Sequence, residues 1–101
     1  MIKHIVAWRL KDSACGNDKT TNARLMRDKL EALRGQIPGL LRLEVGLDFS
    51  ATENSSDVVL VTEFTTREAL AAYQIHPAHK AVGVFVREVV SERRFVDYET
   101  S

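Results

Sequence analysis

The chain has little of what usually announces a chemistry. Cys15 is its only cysteine, so no intrachain disulfide can form, and a reducing, cytoplasmic setting is expected. Cys15 sits in a polar stretch without a basic neighbour to activate it, which argues against a nucleophilic role. Neither sign of charge dominates: 14 basic and 14 acidic residues give a formal net charge of zero. No basic stripe is present for phosphates, which argues against nucleic acid, and no polybasic anchor is present for a membrane. No apolar run is long enough to span a bilayer. At the N-terminus Lys3, His4, Arg9 and Lys11 interrupt the apolar residues, so a signal peptide is not expected. A chain of 101 residues is read as one domain, 1–101. A domain of this size buries only about 60–70% of its extended-chain surface, so it gains from a partner.

What is present is periodicity. Ile2, His4, Val6, Trp8 and Leu10 alternate with Lys3, Ile5, Ala7, Arg9 and Lys11, which predicts a strand with one apolar and one mixed face. Residues 12–18 read as a loop. Ala23, Met26, Leu30, Leu33 and Ile37 form a stripe at helical spacing, predicting a helix from about Thr20 to Gln36 that Pro38-Gly39 ends. In the second strand Leu41, Leu43, Val45, Leu47 and Phe49 point one way and Arg42, Glu44, Gly46 and Asp48 the other. Residues 50–56 read as a hairpin loop and Val58 to Phe64 as a β-branched strand. Thr65 and Glu68 match a capping box for a short helix through Tyr73. Pro77 suits a first helical position, and Ala78, Val82, Phe85, Val86 and Val89 give the helix after it an apolar stripe. The last strand, about Arg93 to Tyr98, sets Phe95 against Val96 and Tyr98. Strand, helix, strand, strand, helix, strand is the order of the split βαβ arrangement: an α+β, ferredoxin-like, four-stranded antiparallel sheet with helices on one face. The other face, with Ile5, Ala7, Val59 and Val61, is too apolar to leave bare, and Arg9, Arg42, Glu44 and Glu63 stand either at its seam or at solvated edges. A C₂ homodimer is therefore expected.

The chemistry-bearing side chains concentrate in Tyr73-Gln74-Ile75-His76-Pro77-Ala78-His79, at the junction of two helices. The third and last histidine, His4, lies on the first strand. If the fold brings His4 to the 73–79 segment, these groups can move protons in a buried pocket. A neutral imidazole at His79 suits base catalysis near neutrality, and the Tyr73 phenol suits an enolate oxygen. The plainer roles are a helix-start residue for His79, a core tyrosine for Tyr73 and a satisfied core histidine for His4. His76 precedes Pro77 and fits the helix boundary, as a cap. His76 and His79 lack a third ligand nearby, so no metal is expected, and no cofactor either. Trp8 shares the His4 face and reads as core. The expected pocket lies between sheet and helices, walled by Val6, Met26, Leu30, Phe64 and Phe85, with Trp8 and His76 beside it, and suits a small, mostly hydrophobic molecule bearing carbonyl or phenol oxygens.

Met1-Ile2-Lys3-His4-Ile5-Val6, Ile37-Pro38-Gly39-Leu40, Leu43-Glu44-Val45-Gly46, Glu68-Ala69-Leu70, the segment from Ala72 to His79, and Val96-Asp97-Tyr98 together resemble the stress-responsive A/B barrel (Dabb) family, in order over nearly the whole chain. The resemblance implies a ferredoxin-like fold that dimerises into a β-barrel. It also implies a link to stress response, or a likeness to the family's plant polyketide cyclases. Those enzymes close a ring by intramolecular aldol condensation without a cofactor. Carried over by position, their base falls on His79, their assisting phenol on Tyr73 and their first-strand histidine on His4. The cyclases enclose substrate with aromatic side chains on the first helix. Here that helix has none, leaving Met26 and Leu30 on its pocket side. The expectations are therefore a stress-linked small-molecule-binding homodimer, a cofactor-independent cyclase-like enzyme or, more remotely, a cofactor-free quinol-type monooxygenase.

Overall fold

Alternating burial along Ile2–Leu10 makes the first strand the organiser of the fold. The computed structural model describes residues 1–101, and its strand β1 (Ile2–Leu10) is buried at every even position and half-exposed at every odd one. The chain continues through β2 (Ser13–Ala14), β3 (Asn17–Asp18), α1 (Lys19–Glu31), β4 (Leu40–Leu47), β5 (Val58–Phe64), α2 (Arg67–Gln74), α3 (Pro77–Val89) and β6 (Val90–Glu99). The main sheet is antiparallel with strand order β4-β5-β1-β6, so β1 is central and pairs with both β5 and β6. The helices cover the face bearing Ile2, Val6, Trp8, Leu43, Leu60 and Phe64, all 5% exposed or less. This is the expected ferredoxin-like α+β fold. None of its helices is long and apolar enough to cross a membrane.

Besides the last strand, which begins at Val90 rather than about Arg93, the details depart from the periodicity at four places. Residues 12–18 are a miniature hairpin, because Cys15 (φ 54°) and Gly16 (φ 77°) close a two-residue turn with both φ angles positive. The fully buried Asn22 pins this ribbon to α1 by donating to the Ala14 carbonyl at 3.0 Å. Helix α1 ends at Glu31 rather than Gln36. Beyond it the Leu33 and Arg34 amides donate to the Leu30 and Glu31 carbonyls, a tighter winding that keeps Leu33 and Ile37 in the core. In β4 a bulge between Leu40 and Arg42 turns Leu41 to solvent, and Phe49 lies past the strand end, 97% exposed. Only Leu43, Val45 and Leu47 keep the expected inward face. Finally, Thr66 rather than Thr65 caps α2, accepting from the Ala69 amide at 3.1 Å. Thr65 is still engaged with Gly39, to whose carbonyl its amide donates. Glu68 therefore falls in the first turn, where it complements the helix dipole without closing a capping box.

On the uncovered face the rows cross all strands. Val96, Ile5 and Val61 are direct neighbours, as are Ala7 and Val59. Arg42 bridges Glu44 and Glu63, and Lys3 approaches Glu63 from the other side.

Gly39 is the tightest joint between sheet and helices. Its φ is +79°, and a Cβ there would lie 2.7 Å from the Ala69 Cβ and 3.2 Å from the Thr65 hydroxyl. Gly35 has the same φ with open space around it. Chemical denaturation should therefore separate them. Gly35→Ala is expected to cost about 1 kcal/mol, the left-handed backbone term alone. Gly39→Ala should cost about 3 kcal/mol, because overpacking adds to that term. Equal losses would show that the α2 contact yields freely.

Candidate functional site

Helix α3 does not settle fully onto the sheet. Of its residues only Val89 is buried, and beneath it lies a cavity of about 430 Å³, bordered by residues of β1, β5, β6 and all three helices. Positions 79, 82, 83, 86 and 87 of α3 face it, a spacing of one helical stripe. Its volume falls within the range of small-molecule sites.

Three rings run in series along one side. His4 is 4% exposed and, by the β1–β6 register, stands opposite Asp97. Its Nδ1 donates to the Asp97 carboxylate. A carboxylate only accepts, so this bond holds a proton on Nδ1. Tyr73, at the end of α2, is 1% exposed; its ring is 6.3 Å from that of His4 in an edge-on arrangement and 5.2 Å from that of Phe64. Burial pushes the Tyr73 phenol up to about 12, so it stays protonated. Its hydroxyl has no partner within the protein. The His79 ring packs 4.2 Å from that of Tyr73.

His79 lies in the first turn of α3, half-buried, with Nδ1 3.3 Å from the Gln74 carbonyl oxygen. A carbonyl only accepts, so this bond fixes the proton on Nδ1 and frees Nε2. Burial holds the His79 imidazole below its ordinary value. The Gln74 carbonyl opposes that shift, and His4, Arg93 and His76 add to it.

The structure brings His4, Tyr73, His79, Val6, Trp8 and Leu30 to this one cavity. Four other residues expected there stand elsewhere. Met26 and Phe64 are fully buried in the core and do not border the cavity, because only the C-terminal end of α1, at Leu30, reaches it. Phe85 lies on the flank of α3 beneath the Lys29 ammonium, 5.1 Å from its ring centroid. His76 caps α3, its Nδ1 accepting from the Ala78 amide at 3.1 Å. No group of three His, Cys, Asp or Glu side chains is placed to hold a metal ion.

Sequence reasoning missed Asp97, Arg87 and Arg93. Strand parity sets Arg93, Phe95 and Asp97 on one face of β6, and helical spacing from His79 reaches Arg87. Both signals were present, but only the strand order makes them converge.

The model of the stress responsive A/B barrel domain matches residues 2–100. A dimeric protein of unknown function with a ferredoxin-like fold from Bacteroides fragilis is 31% identical and superposes with a TM-score of 0.86, covering 98% of this chain and 95% of its own. A Dabb family protein with a ferredoxin-like fold from Mesorhizobium loti is 23% identical (TM-score 0.73, covering 99% and 96%). A hydroxynitrile lyase from Passiflora edulis, 12% identical, shares the fold with a TM-score of 0.78 over 96% of this chain and 90% of its own. No curated protein matches the chain. The chain belongs to the stress responsive A/B barrel domain family.

Proposed function

We propose that this protein is a homodimer whose subunits each bind a small, mostly apolar molecule bearing carbonyl or phenol oxygens in the cavity under α3. The observation that carries the ligand reading is the Tyr73–His79 pair, packed 4.2 Å apart on the wall of a cavity otherwise dominated by aliphatic side chains. Such a pocket has apolar area for affinity and a few polar groups for orientation. Dimerisation is supported by the uncovered sheet face, where Ile5, Val61 and Val96 form an apolar row, and by the dimeric Bacteroides fragilis relative. Packing two such faces together closes the barrel.

A second reading, cofactor-independent proton abstraction, is favoured by one observation: the bond to Gln74 commits the His79 proton to Nδ1. Nε2 is then free to take a proton from carbon flanked by carbonyls. The electron pair moves onto a carbonyl oxygen, and the protonated Tyr73 hydroxyl, which has no partner in the protein, donates to that enolate.

Alkyl phenols and alkyl 1,3-diketones should raise the melting temperature, since ligand binding to the native state stabilises it. No shift with either class would remove phenols and diketones as the ligand class. For the second reading, NMR should show the protein speeding deuterium uptake at the central carbon of a 1,3-diketone. His79→Ala should slow it by about 10²-fold or more; unchanged exchange would remove His79 as the base.

Sedimentation should find a dimer at micromolar concentration and a monomer for Ile5→Glu. A monomeric wild type would overturn the assembly.

The lowered His79 value also sets a pH dependence. The unfolded chain takes the proton first, at about pH 6.5. Stability contributed by neutral His79 is thus present above that pH and lost as pH falls through the lower folded value. A plot of Tm against pH should fall less steeply for His79→Gln than for the wild type on the acid side; coincident slopes would contradict a buried neutral imidazole.

A further inference from the structure

The cavity is charged on one side of the ledger only. Arg87 of α3 and Arg93 of β6 border it, and no Asp or Glu does. The ion pairs made by arginines elsewhere use Arg27, Arg34, Arg42, Arg67 and Arg94, and leave these two aside. Both are exposed residues at the cavity rim. The Arg93 guanidinium lies over the Phe95 ring, 4.7 Å from its centroid, on the helix-facing side of the edge strand. The Arg87 guanidinium folds back over Gly83, where a Cβ would meet only its Nη1, at 3.4 Å.

Beside the free Nε2 of His79, which accepts, two neutral side chains of the walls carry donors. The Trp8 indole N–H and the Tyr73 hydroxyl are buried without a hydrogen-bond partner, although nearly all buried polar groups in folded proteins are paired. An indole N–H can only donate, and so can a guanidinium. A complementary ligand supplies oxygen acceptors and a negative charge. Guanidinium pairs with carboxylates are among the stronger polar contacts available.

We propose that the molecule held under α3 is an amphiphilic monocarboxylate, its apolar body against Val6, Leu30, Leu60 and Val86 and its carboxylate between Arg87 and Arg93. This rests on the pocket reading above and adds to it the charge and head group of the ligand. A neutral diketone or phenol meets the aliphatic walls but leaves both guanidiniums without a partner. A carboxylate meets both.

Trp8 is the only tryptophan, and it stands in the cavity wall, so its emission reports occupancy directly. The whole chain would be titrated with octanoate and 4-butylbenzoate, and with their primary amides, with calorimetry alongside. The expected result is that each acid binds about tenfold or more tightly than its amide, an advantage that shrinks at high salt. Arg87→Gln and Arg93→Gln should each weaken the acids about tenfold while leaving the amides unchanged. Arg93→Lys, which keeps the charge but not the fork, should fall between them. Gly83→Leu, filling the cavity at a position open to a side chain, should abolish binding of acids and amides with Tm retained. Acids and amides binding alike, or acids indifferent to both glutamine variants, would overturn the anion assignment and leave the pocket reading standing. An octyl phosphate preferred over octanoate would replace the carboxylate. Binding that survives in Gly83→Leu would place the ligand elsewhere. Silence of Trp8 and of calorimetry with every probe would overturn both the inference and the pocket reading beneath it.

Discussion

The antiparallel register between the first and last strands is the constraint on which the rest of this protein depends. It sets Asp97 opposite His4, Phe95 opposite Val6 and Arg93 opposite Trp8. These pairs join residues some 90 positions apart in the chain. One pair orients an imidazole, and another carries a guanidinium to the cavity rim. Because side chains alternate along a strand, a slip of one residue would carry Asp97 and Arg93 to the opposite face and bring Val96 and Arg94 in. The bulge between Arg9 and Leu10, at the far end of this pairing, absorbs irregularity where no site residue is affected.

The cavity exists because α3 is held away from the sheet at a cost. A well-filled core would bury Val82 and Val86 and pair every donor beneath them. Instead those residues are half-exposed, and two buried donors, on Trp8 and Tyr73, go without partners. An unsatisfied buried group typically costs about 1–3 kcal/mol. A domain of this size has little stability to spare. The two unpaired donors therefore count against the stability of the fold. The same reasoning explains the caps of α2 and α3. Thr66 and His76 fix where each helix starts, and the positions of Tyr73 and His79 follow from that. The paired rings stand on the end of one helix and the first turn of the next, joined by a short connection.

Most of the fold could be read from the residues, because burial with period two or near 3.6 leaves a direct trace. The β5 boundaries, the start of α3 at Pro77 and the opposed faces of β6 follow from that trace. The failures have specific physical causes. A two-residue strand such as β2 has no alternation to detect. A tightened last turn keeps the stripe of α1 going past the end of the helix. A bulge reverses parity at Leu41. For the site, the concentration of Tyr73, His76 and His79 in one segment is visible without coordinates, but its division of labour is not. His76 spends its Nδ1 on a cap while His79, three residues on, faces the cavity. Met26 and Leu30 are equivalent in the helical stripe, and only the crossing of α1 over the sheet decides that Leu30 alone reaches the cavity.

Strand β1 therefore does two jobs on opposite sides. Its even residues put His4, Val6 and Trp8 into the cavity, and its odd residues put Ile5 and Ala7 on the uncovered face. In a strand buried on one side only, the second set would be polar and free to vary. Here covering that face adds apolar burial on the reverse of the strand that carries His4. Packing there restrains the backbone that sets the His4–Asp97 pair, since a central strand held on both faces has less freedom to shift register. The cavity and the uncovered face are thus joined through a single strand, without any residue of the cavity having to reach that face.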